Sequence, residues 1–323
     1  MAARIPKWKQ LCTISAPACA KWRFTFARVK SGGSYWNAGP RNLESKQGKT
    51  IVRQAHLALI LFVIASTAFS QTPAPAVADG GVLNGASFAK GQPVAAGSLI
   101  SIFGTNLAAS SAQADSIPLS TSLANVSVSF NGIAAPLNGV FHDPVNGDQI
   151  NAQLPWEVQN GTAQVIVTRA GVPSAPQSLN VGPSPGIFSV QFGVGQAIAY
   201  GNSDGAIAAA PGAIPGLNTH PAKIGDPTTL VILATGLGPV SPPVQTGNNV
   251  TDGQVHQTVT TPTVLVGGVA AQVVFSGLTP QFVGVYQINI VIAAGTPTGN
   301  AVPIQIVMNG VTTTNQVTIA VTN

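Results

Sequence analysis

Cysteine is nearly absent from this chain of 323 residues: there are two, Cys12 and Cys19, both close to the start. Beyond them neither a disulfide framework nor a thiolate metal site can form. Stability there must come from core burial, for which about 100 residues per folded unit suffice. Charge is scarce as well, at 7% of residues against roughly 25% in a typical domain, and it is segregated. Residues 1–70 hold eleven of the fourteen Lys and Arg and a single acid, Glu44. Residues 71–323 hold three bases (Lys90, Arg169, Lys223) against eight acids, a net of −5. Three bases cannot make the basic stripe that nucleic acid demands, so nucleic-acid partners are excluded. Glu157 is the only Glu after residue 70, which leaves no obvious carboxylate pair for glycoside hydrolysis. No stretch past residue 70 sustains a helical period.

What is present suits short strands and many turns. Gly (35) and Pro (25) are abundant, with Thr, Val, Ala and Asn filling much of the rest. β-branched residues are too plentiful for disorder.

Leu57 to Phe69 is an apolar run preceded by Arg53 and His56 and closed by Ala68-Phe69-Ser70, a small-x-small cleavage pattern. This is the pattern of a signal peptide, and the run is too short to span a membrane. No Cys follows it, so a lipid anchor is not expected, nor is a transmembrane anchor. Residues 1–51 are too long for the basic region of a leader. Val52 is the expected true start, making 1–51 an extension and 52–70 the signal peptide; a precursor peptide from upstream of Val52 would overturn this. Residues 71–79 form a Pro/Ala linker.

From there the chain is written twice. Gln149-Ile150-Asn151 opens a segment that closes on Ser178-Leu179-Asn180-Val181, and Gln287-Ile288-Asn289 opens one that closes on Val317-Thr318-Ile319-Ala320-Val321. Each copy carries a β-branched run (Val165–Thr168, Ile304–Val307) followed by a Gly turn (Ala170-Gly171, Asn309-Gly310). Upstream, Gly97–Leu107 is answered by Leu230–Gly238. Val126–Phe130 with its Asn131-Gly132 turn is answered by Val264–Val266 with Gly267-Gly268. Asn-Gly between alternating apolar residues is a strong hairpin signal, and strands at this spacing argue sandwiches. Pro183-Ser184-Pro185-Gly186 marks a boundary between units at 80–183 and 184–323, the second with an extra hairpin at 196–207 around Asn202-Ser203-Asp204-Gly205.

The strand Gly97–Leu107 resembles the opening of IPT/TIG immunoglobulin-like domains. The set Gln149–Glu157, Pro185–Phe188, Asn202–Gly205, Pro221–Gly225 and Ala234–Pro239 resembles a Solibacter-type C-terminal domain family of secreted acidobacterial proteins, across roughly residues 80–323. The resemblance implies an all-β protein of two tandem immunoglobulin-like β-sandwiches, secreted and without an assigned activity.

Gly182-Pro183-Ser184-Pro185-Gly186 matches G-x-S-x-G, but Pro185 has no N–H for the oxyanion hole, so the match reads as a linker. His142-Asp143 suggests a base with an orienting carboxylate, yet neighbours on a turn point apart. His220 and His256 are isolated in sequence, show no zinc spacing and read as solvated. Asp143, Asn146 and Asp148, or Asn202 and Asp204, offer oxygens suited to Ca²⁺, although the same residues are the ordinary material of turns. No catalytic residue, metal or cofactor is therefore expected. Trp156 is the candidate ligand contact, as an aromatic platform for sugar, with core packing as its default role. Thr- and Asn-rich edge strands offer pairing to a partner strand. The sequence thus points to a non-catalytic secreted interaction or structural module whose partner is an extracellular or envelope protein or a polysaccharide. A carbohydrate-binding module is the first alternative and a hydrolase with its site between the two units the second.

Overall fold

Alternation of apolar and polar residues dictates the architecture. In the computed structural model, which describes residues 73–280 and 282–323, every regular element is a strand. The leader and proposed start lie outside the described residues. The principal strands are labelled in chain order, with two- and three-residue pairings left unlabelled.

In the first half these are β1 (Ala76–Asn84), β2 (Leu99–Thr105), β3 (Val126–Phe130), β4 (Leu137–Phe141), β5 (Asp148–Gln153), β6 (Gly161–Arg169) and β7 (Gln177–Val181). β1 begins inside the Pro/Ala stretch. One antiparallel sheet runs β1-β2-β5-β4, and a second joins β3 to β6 and β6 to β7. Strand residues two apart share a face, so Ile100, Ile102, Val140 and Ile150 from the first sheet meet Val126, Val128, Phe130, Val165 and Val167 from the second in one buried core. Two sheets closing on such a core are a β-sandwich.

The second half repeats the pattern with β8 (Leu230–Thr235), β9 (Thr263–Val266), β10 (Val269–Leu278), β11 (Tyr286–Val291), β12 (Gly299–Met308) and β13 (Gln316–Thr322). β8 pairs β11 as β2 pairs β5, and β9 pairs β12 as β3 pairs β6. The hairpin turns match as well. Asn131-Gly132 and Gly267-Gly268 both have positive φ at both positions, as do Ala170-Gly171 and Asn309-Gly310, the conformation that twists in step with the flanking strands. After the later turn of each copy, a hydroxyl accepts from a strand N–H: Ser174 Oγ from Val167 (3.1 Å) and Thr313 Oγ1 from Ile306 (3.2 Å).

One difference separates the copies. β10 pairs β9 through Val269–Ala271 and then crosses to pair β11 through Leu278, bending at a bulge beside Val274, so the two sheets of this half are continuous. In the first half the equivalent path is cut between Ile133–Ala134 and β4, where Pro136 stands. Proline has no N–H to continue the ladder. The second core gathers Ile187, Ile232, Tyr286, Ile288, Val264, Ile304, Ile306 and Ile319. Tyr286 is fully buried, its hydroxyl donates to Gly238 O, and burial pushes its ionisation far up. Residues Pro73–Asn323 nonetheless belong to one compact unit, because the halves are joined tightly.

Candidate functional site

The joint is built from buried amides, hydroxyls and backbone. Asn84 closes the turn after β1 by accepting from Ala86 N (2.9 Å) and Ser87 N (3.0 Å), and its Nδ2 donates across to Ser184 O (2.7 Å). Thr235 Oγ1 accepts from Leu99 N (3.0 Å) and donates to Gly284 O (2.7 Å). Gln153 Oε1 accepts from Gly247 N (2.7 Å), and Leu119 N donates to Gly247 O (2.9 Å). Glu157 accepts the Thr246 hydroxyl (2.8 Å), which itself accepts from Trp156 N (3.0 Å). The paired groups that are buried here, those of Asn84, Thr235 and Gln153, favour one geometry, because another would leave them orphaned.

Trp156 is placed within this joint. It leaves the first half just past β5, and its half-buried ring packs against the second half's core. The ring lies over Gly97, where a Cβ would fall 2.1 Å from it. Its indole nitrogen is buried without a partner among the described residues.

Each histidine of the described residues pairs with an aspartate, which sequence spacing did not reveal. His142 turns to Asp148 (Nδ1 to Oδ1, 2.8 Å) rather than to its neighbour Asp143. Asp148 is buried and also accepts from Ala108 N (3.0 Å) and Asp143 N (3.2 Å). Asp143 Oδ1 accepts from Val145 N and Asn146 N, as a turn carboxylate does. His256, read as solvated, is only 3% exposed. Its ring nitrogens face Pro242 O (2.6 Å) and the Asp252 carboxylate (3.1 Å), because the strand pairing of Gln257 with Gly277 carries it under the loop. Among the described residues no group of three His, Cys, Asp or Glu is placed to hold a metal.

His220 and Asp204 form the third pair (2.6 Å) at the rim of a shallow cavity of about 340 Å³, lined also by Lys223, Asp226 and Thr229. The bond to Asp204, then the one to Pro221 O, holds His220 above its ordinary 6.5 against the opposing effect of burial. Burial works to raise Asp204, but the His220 bond and the Ala206 N–H outweigh it and hold the carboxyl below its ordinary 3.8. A raised His stabilises the fold below its unfolded value and loses that contribution as pH climbs through its folded value. A lowered Asp stabilises above its unfolded value and loses that as pH falls through its folded one. The pair therefore counts most between 3.8 and 6.5. Asp204→Asn is expected to return His220 toward its ordinary value in an NMR titration, and to lower stability at about pH 5 more than at about pH 9. An equal loss at both would disprove the coupling.

The first sheet also has a face turned away from its core. With Ile100, Ile102, Val140 and Ile150 turned to the core, Ser101, Phe103, Gln149, Asn151 and Phe141 face away from it. The Leu99–Gln153 end of this face lies under the joint.

No family model matches the chain, and no curated protein matches it. Three solved structures share its path weakly. The Bacteroides ovatus mixed-linkage glucan utilization locus SGBP-B, in complex with a mixed-linkage heptasaccharide, is 11% identical with a TM-score of 0.29 over 71% of this chain and 43% of that one. FdeC, an Escherichia coli adhesin, is 13% identical with a TM-score of 0.20 over 77% and 63%. Domains 5–6 of the S-layer protein SbsC are 13% identical with a TM-score of 0.22 over 77% and 99%. The matched region spans less than two thirds of the first two proteins, and likeness this slight carries no argument about ligand.

Proposed function

We propose that this is a secreted, non-catalytic interaction module in which two sandwich domains, 80–183 and 184–323, are locked by their joint into one rigid body that displays sheet faces to an extracellular or envelope partner. The observation that supports it is the joint itself. Asn84, Thr235, Gln153 and Glu157 spend their polar groups on holding the halves together, and a rigid scaffold is what makes a displayed face specific. The same residues occupy the interface where a hydrolase would need its acid and base. Leu57–Ser70 would direct export.

The test is co-sedimentation of the purified protein with washed cell envelopes and insoluble polysaccharides. Saturable retention with no soluble product released is the expected result. Release of product that disappears in His220→Ala would replace this reading with a catalytic one. N-terminal sequencing of the exported protein should begin just after Ser70, and an exported chain retaining residues upstream of Val52 would count against the leader.

A further inference from the structure

The outward face of the first sheet, beyond the part covered by the joint, carries an ordered row. Strand register places Phe103 on β2, Gln149 on β5 and Phe141 on β4 directly beside one another. In the next row Ser101 and Gly139 are buried and Asn151 is half-buried, and exposed Gln113 continues it. Adjacent strands lie 4.7–4.9 Å apart, so the two phenylalanines, one strand either side of Gln149, are separated by roughly 9.5 Å. The Phe141 ring is folded over Gly139, where a Cβ would sit 2.9 Å from it, so it lies along the sheet. Phe88 extends the aromatic edge, its ring 6.4 Å from Phe103. Phe192 meets Phe88 edge-on at 6.0 Å from the second half and is 58% exposed. Phe88 and Phe192 both have positive φ (53° and 52°), a costly backbone for an aromatic residue and one that clusters at functional sites.

Between the rings the polar groups are already ordered. Gln149 Nε2 donates to Asn151 Oδ1 (2.7 Å) and to Ser101 Oγ (3.3 Å), and Ser101 Oγ donates to Asn151 Oδ1 (2.9 Å). That arrangement leaves Asn151 Nδ2, a donor, and Gln149 Oε1, an acceptor, without partners among the described residues. Both side chains are half-buried rather than solvated freely. No member of either row is charged.

We infer that this shelf is a binding site for a neutral polysaccharide. Pyranose rings are flat, with C–H bonds on their faces and hydroxyls around their edges. The C–H faces suit the negative faces of Phe103 and Phe141. Asn151 Nδ2 donates to one hydroxyl between them and Gln149 Oε1 accepts from its neighbour. The absence of charge from both rows suits a neutral chain over an acidic one. The second half supports the assignment by contrast. Its Gln287 is flanked in register by Leu233 and Gly277, so the amide pattern recurs there without the paired rings and the shelf exists once.

The inference rests on the reading of the chain as a non-catalytic binding module, and the experiment separates the two. Affinity electrophoresis of the purified protein through gels containing hydroxyethyl cellulose, neutral xylan or a polyuronate should show retardation by a neutral polymer. Phe103→Leu and Phe141→Leu, which keep apolar volume but lose the ring, should each weaken binding roughly tenfold with melting transitions unchanged, and Asn151→Ala should weaken it as well. Trp156→Phe should bind like the wild type. Undiminished binding in both Leu variants, preference for the polyuronate, or no retardation by any neutral polymer would overturn the shelf. If in the last case envelope co-sedimentation persists, the shelf falls and the module reading stands.

Discussion

Gly97→Ala should cost about 3–5 kcal/mol of folding stability and expel Trp156 from the joint. Two effects add. Gly97 has a φ of +77°, and a Cβ in the left-handed region costs about 1–2 kcal/mol. The new methyl would also sit 2.1 Å from the indole ring. That ring cannot retreat, because its other side packs on the second core. It must leave, and losing a half-buried Trp contact costs about 2–3 kcal/mol, short of the full core value. Trp156 is the only Trp after residue 70, so in the exported chain its fluorescence should shift to the red in step with the lowered urea midpoint. A variant with unchanged emission and a loss below about 1 kcal/mol would mean that the ring is not wedged as described.

Thr235→Val should lower stability by about 2–4 kcal/mol even though the two side chains have nearly the same shape. The hydroxyl is fully buried and holds the Leu99 N–H at 3.0 Å and Gly284 O at 2.7 Å. Removing it leaves a buried donor and a buried acceptor, one from each half, with nothing in exchange. Thr235→Ser keeps the hydroxyl and should recover most of the loss. Chemical denaturation of the three proteins decides it; a Val variant no weaker than Ser would show that the bridge contributes nothing. Because the bridge spans the joint, the Val variant should also protect the two halves unequally in hydrogen exchange.

Most of the strand plan was legible because it is local. Val126, Val128 and Phe130 alternate with serines, and Asn131-Gly132 carries the two positive φ values its hairpin needs. The duplication was legible for the same reason, since β-branched runs and Gly turns recur in one order. The histidines were not. His142 reaches Asp148 rather than Asp143 because successive side chains on an extended backbone diverge, and His256 is buried by a pairing between Gln257 and Gly277 that no neighbouring residue announces.

The shelf shows the same division most clearly. Gln149-Ile150-Asn151 stood out in the sequence as the opening of a repeat, and its alternation already meant that Gln149 and Asn151 share a face. That the face carries Phe103 on one side and Phe141 on the other depends on register, between strands distant in the chain for β2 and β5 and across the turn at 142–147 for β4 and β5.

The sequence by itself determined an all-β chain, its doubling, its hairpin turns, its shortage of charge and the absence of cysteine after residue 70, because each follows from composition or from spacing within a few residues. Tertiary structure alone decided that Trp156 serves the joint, that each described histidine has an aspartate, and that two phenylalanines flank one glutamine. The joint contacts of Trp156 and the pairing of Phe103 with Gln149 join positions far apart in the chain, brought together by the burial of two cores and the pairing of strands across them; the histidine–aspartate pairs span only 4 to 16 residues and are set by how each loop turns.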